Sequence, residues 1–475
     1  VGHWNFNDGE GTVLTDLSLN GNNGTIFGAS WSNDVPQPPY SGPEWYVSES
    51  GSDDNNGSQD YPFSSIQYAI NSSNDGDSVF VGSGTYFENI DLSGKNVSLI
   101  SLDGPESTFI DGNQNGRVIK LDNPGNYDIY NRISGFTIQN GSWDGSGAGI
   151  YAYYGNLDLE NNIIKENSSD DSGGGIAIDN NNVVVMNCFI GENFSNNRGG
   201  GIYINGSSNS HINNSTITNN SSYQGGGIYM ISSTGEIINS SIDNNSIGHD
   251  GAGIYIAEDS YLDINDSKLQ YNSSPNNGGA ILQKGHVNIS GCLISNNFAG
   301  DLGAAFAIIN HDGTSIDRST IIFNNSGAVV LLEEESGSEG DSLTILNSII
   351  RNNDSGDFYT VEGYVPVLIN YSNIEGGYDG QGNFDENPEF CNPAVGNYEL
   401  SNSSSSLFMG QDSSYVGFSQ DPGCNEPYSN YSLRFDGEND FVELQQITNI
   451  GSVSNTVSMW VKIPVVGQDN LSEGE

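Results

Sequence analysis

The chain has 475 residues, with 12 Lys and Arg against 60 Asp and Glu, a formal net charge of −48 and only 35% hydrophobic residues. A field of that sign repels nucleic acid and anionic membrane surfaces, which excludes polyanion binding as the main activity. No stretch approaches the roughly 20 apolar residues of a membrane-spanning helix, so no membrane insertion is expected.

At about 150 residues per domain the length corresponds to about three domains. Val1 is not Met, and no signal-peptide pattern follows it, so the sequence reads as an internal segment of a longer protein. Low apolar content with high charge also fits a disordered chain. Against that stand 24 Tyr, 19 Phe and a strong internal repeat. The four Cys include no CxxC, so neither a disulfide scaffold nor a zinc site is indicated. The excess of Asp, Ser, Asn and Gly over Lys suits a secreted or cell-surface bacterial protein.

In chain order, residues 1–36 are a first segment, and residues 37–43, within a stretch opening Pro36-Gln-Pro-Pro-Tyr, are a linker. Residues 44–425 hold the repeat. A Gly-Gly-Ile-Tyr landmark has its last Gly or Ala at Gly149, Gly175, Gly201, Gly227, Gly253, Ala280 and Ala305, at spacings of 26, 26, 26, 26, 27 and 25. A second, Ile/Leu-x-x-Asn, begins at Ile164, Ile190, Ile217, Ile242, Leu269, Ile294, Ile322 and Ile350. Two markers keeping step define a structural unit.

The unit shows no helical stripe. It reads as three short period-2 stretches, such as Ile202-Tyr203-Ile204, His211-Ile212-Asn213 and Thr216-Ile217-Thr218, between Gly/Ser/Asn corners. One unit alone cannot bury its apolar side chains, so coils must stack. Three strands per coil of about 26 residues predict an all-β, parallel β-helix of roughly a dozen coils, right-handed by the general crossover preference. Coils rise by about 4.8 Å.

Two positions before the second landmark stands a ladder of small residues: Asn162, Cys188, Ser215, Ser240, Ser267, Cys292, Thr320 and Ser348. One earlier are Asn161, Asn187, Asn214, Asn239 and Asp266, read as a stack of amide hydrogen bonds. Cys188 and Cys292 lie four coils apart, about 19 Å at that rise, too far to bond. Cys391 and Cys424 follow the last coil, where a disulfide and two free thiols both remain open.

Trp45-Tyr-Val-Ser-Glu-Ser-Gly-Ser-Asp-Asp-Asn-Asn-Gly-Ser, Pro62-Phe-Ser-Ser-Ile-Gln-Tyr-Ala-Ile and Gly76-Asp-Ser-Val-Phe-Val-Gly-Ser-Gly-Thr-Tyr together resemble the opening of the pectate-lyase-like right-handed parallel β-helix superfamily. That resemblance implies a short helix over 64–71 capping the first coil. The Gly-Gly-x-Ile and x-x-Asn repeats are similar to those of chlamydial polymorphic outer-membrane proteins, which are adhesins and autotransporters. Tyr371-Ser-Asn-Ile-Glu-Gly-Gly through Asn387-Pro-Glu-Phe resembles the exit of bacterial secreted β-helices. At the ends, Tyr431-Ser-Leu-Arg-Phe-Asp-Gly and Val457-Ser-Met-Trp-Val-Lys make residues 428–475 resemble the start of a laminin-G-like or concanavalin-type jelly roll. Trp4-Asn-Phe-Asn-Asp-Gly-Glu-Gly resembles a segment found beside such lectin modules, so partial jelly-roll pieces and covalently continuous lectin-like domains are expected around the helix.

β-Helix lyases need a base, often Arg or Lys, with Asp-bound calcium to acidify the proton beside a uronate carboxylate. Related hydrolases need paired carboxylates. The hydrolase motifs are not assembled here. Gly248-His249-Asp250-Gly251 is a partial match, Asp170-Asp171 reads as a solvated corner, and Asp53-Asp54-Asn55-Asn56 as turn chemistry. Arg198, His249 and Asp250 are the catalytic candidates. No cofactor is required, and acidic corners offer calcium a place without any EF-hand spacing.

The most informative pattern is a stripe. The residue after the first landmark's Ile points outward and reads Tyr151, Ala177, Tyr203, Tyr229, Tyr255 and Leu282. Tyr203, Tyr229 and Tyr255, with Tyr223 on the preceding turn, are the carbohydrate-binding candidates, read as an exposed platform for sugar rings. The alternative is a purely structural stack. A second ladder, His211, Glu236, Tyr261 and His286, reads as a polar face. The expected function is a non-catalytic adhesion, glycan-binding or stalk role, with an extracellular polysaccharide lyase or related enzyme on the Tyr-lined face as the alternative.

Overall fold

The computed structural model describes residues 1–32, 39–207, 209–309, 313–325, 330–333, 342–354, 359–360, 367–419 and 422–424. In a regular coil the chain is extended over four pieces, for example Ile202–Asn205, Ser210–Asn213, Thr216–Thr218 and Ser221–Gln224. The first three match the period-2 stretches of the sequence. The fourth carries no apolar alternation that would reveal it. Coils pair in parallel, and the pieces stack into sheets of 22, 12 and 7 strands. The chain is a right-handed parallel β-helix.

Each of the first three pieces sends one or two aliphatic side chains inward. Ile202, Ile204, Ile212 and Ile217 and their ladder equivalents form one continuous core, each at most 3% exposed. Each buried aliphatic side chain contributes roughly 1.5–3 kcal/mol, so a thin axial core suffices and 35% hydrophobic content is enough.

The expected amide ladder forms one rung among the described residues, the Asn214 side-chain amide donating to Asn187 Oδ1 at 2.6 Å, and the continuous ladder is another. Asn161, Asn187, Asn214, Asn239 and Asp266 sit at exposed corners with φ between 47° and 55°, where Asn and Asp tolerate the left-handed conformation. The buried stack is made by the Asn of the second landmark itself. The side-chain amides of Asn167, Asn193, Asn220, Asn245, Asn272, Asn297 and Asn324 each donate to the Oδ1 one coil on, ending at Asn353, at 2.9–3.1 Å. The last Gly of the first landmark faces this stack: a Cβ on Gly175 would lie 2.7 Å from the Gly201 carbonyl oxygen. The small-residue ladder runs through Ser319, not Thr320, since Cys292 N donates to Ser319 Oγ and Ser319 N to Ser348 Oγ. Ile321 rather than Ile322 therefore occupies the inward landmark position, paired with Ile294 and Ile350.

The capping helix α1 spans Ile66–Ser72, slightly later than expected. The amides of Ser64 and Ser65 donate to Asp53, and those of Ile66 and Gln67 to Glu88. At the other end, Phe390, Tyr398, Leu400, Leu407 and Val416 fold back onto Leu293, Ile322 and Ile349. Those three occupy outward positions that earlier coils fill with Thr216, Thr218, Ser241 and Asp243. Cys391 and Cys424 are bonded, with Cα atoms 5.8 Å apart. Cys188 and Cys292 are buried thiols. Residues 1–32 carry a short antiparallel pair, Val13–Leu14 with Gly24–Thr25. The jelly-roll start expected at 428–475 lies outside the described residues.

Candidate functional site

The stripe keeps its register: Lys120, Tyr151, Ala177, Tyr203, Tyr229, Tyr255, Leu282 and Ala307 pair in turn along the 22-stranded sheet. The side chains point away from the axial core, yet Tyr203, Tyr229 and Tyr255 are only 9%, 3% and 6% exposed. The exposed platform expected from the sequence is therefore a buried ladder. The rings stack on one another at 5.8 and 4.7 Å, with Ala177 and Leu282 at the ends of the run. The preceding corner also closes over them. Gly225, at φ +65°, lies so near that a Cβ would stand 2.8 Å from the Cβ of Tyr229. Burial pushes all three phenols above their ordinary range. Tyr223 remains exposed.

The corner places Arg198, Gln224 and Asp250 in one column on successive coils. Arg198 lies over the Tyr229 ring at 5.1 Å and makes no ion pair among the described residues. His249 packs on Tyr223 at 5.1 Å, with Nδ1 2.5 Å from Asp250 Oδ2. Asp250 Oδ1 accepts the Asn277 amide at 3.0 Å. The backbones of Arg198 and Asp250 are two rungs apart; the Arg198 guanidinium reaches one coil on, over Tyr229, and no hydrogen bond or ion pair joins it to His249 or Asp250. Asp171, in the corner read as solvated, is held below the usual carboxylate range: burial would raise it, but bonds from Asn197, Ser146 and Ser172 outweigh that.

The second ladder is out of register with the sequence reading. His211 and Glu236 continue into Asp263 and Asn288, while Tyr261 pairs with His286. Among the described residues no three His, Cys, Asp or Glu side chains gather as a metal site.

A second aromatic array was not picked out from the sequence. Arg117 lies over Trp143 at 4.7 Å and over Tyr151 at 4.2 Å. Tyr151, Tyr153, Tyr154 and Tyr127 follow at 6.4, 4.4 and 4.8 Å between centroids. It runs around two adjacent coils, not along the axis. Its signal, the Tyr-x-Tyr-Tyr of 151–154, falls where the coil is longer than the repeat: Ile119 pairs with Ile150, 31 residues on.

Residues 173–321 match the family model described as the right-handed β-helix region. No curated protein matches the sequence. Among solved structures, pectate lyase Pel9A is similar at 14% identity, over 79% of this chain and 94% of that one, with a TM-score of 0.41. XylC in complex with xylose is similar at 12% identity, over 73% and 87%, with a TM-score of 0.39. A rhamnogalacturonan lyase is similar at 14%, over 70% and 87%, with a TM-score of 0.28.

Proposed function

We propose that this right-handed β-helix is the stalk and contact surface of a secreted or cell-surface protein that binds polysaccharide or surface glycan without cleaving it, continuous with lectin-like modules at its ends. The observation that carries the reading is the disposition of Arg198, His249 and Asp250. Acid–base catalysis needs its groups within hydrogen-bond reach of one reacting atom. Here Arg198 is stacked on Tyr229, His249 lies between Tyr223 and Asp250, and no hydrogen bond or ion pair joins Arg198 to that carboxylate. They form a bank beside a buried tyrosine ladder, with Tyr223 as its exposed aromatic member. The Cys391–Cys424 bond suits an oxidising compartment. The test is retention of the full chain on immobilised polysaccharides, uronate polymers and neutral glycans alike, with and without calcium. Retention on at least one glycan is expected. Passage through all of them unretarded overturns the reading.

A further inference from the structure

We infer that the aromatic array across residues 117–154 is a binding site for a neutral oligosaccharide chain, distinct from the buried run of Tyr203, Tyr229 and Tyr255. The inference rests on the reading that this protein meets glycan, and it names the place and the sugar class. Three observations carry it.

The array is open at both ends. Trp143 is 38% and Tyr127 60% exposed, and Tyr151, Tyr153 and Tyr154 between them are half-buried. The centres of neighbouring groups are 4.2–6.4 Å apart. Sugar rings lay their C–H faces on such rings while their hydroxyls pair at the rim.

Tyr154 stands at a left-handed corner, as Tyr271, Phe323 and Tyr371 do elsewhere along the helix. Its φ is +58°, and the following coils fill the same left-handed corner with Asn180, Gly206, Ser232 and Asp259. Asn and Gly take that conformation readily, whereas a bulky side chain is strained there. The strain is held by the side-chain amide of Asn181, which donates to the Tyr154 carbonyl at 2.9 Å. It places the phenol ring between Tyr153 and Tyr127, in T-shaped contact with both. At this corner the ring extends the exposed aromatic run.

The rim selects charge. Asp122 and Asp144 are the carboxylates whose fields reach Arg117, and Asp122 and Asp179 those that reach Tyr151 and Tyr153. Lys120 is already paired with Asp122 at 3.3 Å and Asp91 at 3.9 Å. Arg117 is sandwiched between two rings and donates Nε–H to the Ser146 carbonyl at 3.0 Å. Acceptors for hydroxyl protons thus outnumber cations, on a chain of net charge −48. Uronate and sulfate chains are repelled, and uncharged pyranoses are accepted.

Affinity electrophoresis of the full chain in gels holding mixed-linkage β-glucan, arabinoxylan, galactomannan or polygalacturonate tests this. At least one neutral polymer retards the protein and polygalacturonate does not. Trp143→Ala with Tyr127→Ala, both exposed, weakens that retardation at least tenfold with melting unchanged. Tyr154→Asn gives the sharper readout: binding weakens while the melting temperature holds or rises, because Asn suits the left-handed corner. A merely structural Tyr154 would lower melting on replacement. The inference falls if no neutral polymer retards the protein, or if Trp143→Ala with Tyr127→Ala binds like the parent. Retardation by polygalacturonate alone overturns the inference and leaves glycan contact standing, whereas no retardation by any polymer removes both.

Discussion

Two tyrosine arrays share one strand position and have opposite fates. Tyr203, Tyr229 and Tyr255 follow one another on consecutive coils, so each ring covers the next and all three are buried. Tyr151 belongs to the same ladder, but its neighbours along it are Lys120 and Ala177. With no tyrosine before or after it along the ladder, it is half-buried, with Arg117 over its ring and Tyr153 stacked beside it. Rings ordered along the solenoid axis become structure, and rings ordered around a coil stay available. Pointing outward from a β-helix is not the same as being exposed.

The contrast breaks most completely where both arrays lose their support. Asn220 accepts from the backbone and side chain of Asn193 and donates to Ile190 O and Asn245 Oδ1, all at 2.9–3.1 Å. Asn220→Leu leaves several buried groups unpaired in one network, a loss of about 3 kcal/mol or more. Circular dichroism during heating should show the coils melting far earlier. Next comes Tyr229→Ser, which empties the middle of the buried ladder. It should cost about 3 kcal/mol, read as an earlier denaturation midpoint. Tyr127→Ala and Trp143→Ala should each stay within about 0.5 kcal/mol, and an equal loss in the two arrays would erase the distinction between them.

Alkaline titration sharpens the same contrast. Burial raises the Tyr255 phenol above its ordinary range and pushes Tyr151 up to about 12. In the unfolded chain tyrosine loses its proton near pH 10. The stability these phenols contribute is therefore fully present below about pH 10 and is lost as pH rises towards their folded values. Tyr255→Phe keeps the ring and removes the titration, so stability measured from pH 9 to 12 should fall less steeply than in the parent. An identical slope would mean that Tyr255 does not hold its proton.

Much of the scaffold was legible in the sequence, because Gly149 to Ala305 and Ile164 to Ile350 repeat at nearly constant spacing and spacing is what sets register in a solenoid. The misreadings are local. At Ile321 and Ile322 two isoleucines compete for one inward position, and only the Ser319 hydrogen bonds decide between them. The exposed column from Asn161 and the buried ladder from Asn167 are both Asn-rich, and whether an Asn side chain turns inward depends on the backbone sign at that corner. The returning tail was not read from the sequence; its trace there is the apolar Leu293, Ile322 and Ile349 at outward positions that earlier coils fill with polar residues. The full burial of the tyrosine stripe was not legible, since besides the stacking of the rings it needs the close approach of the Gly225 corner to Tyr229. The array of residues 117–154 was hidden for the opposite reason: it lies in an irregular coil that no repeat announces.

The separation of Arg198 from His249 and Asp250 carries the functional reading, and product analysis addresses it. The full chain is incubated with uronate polymers and neutral polysaccharides, with calcium present, and unsaturated products and new reducing ends are followed over time. Contact without cleavage predicts a flat trace for every polymer, including any that retains the protein. Steady product formation that disappears in Arg198→Ala would contradict it and make that bank of the ladder a reaction centre.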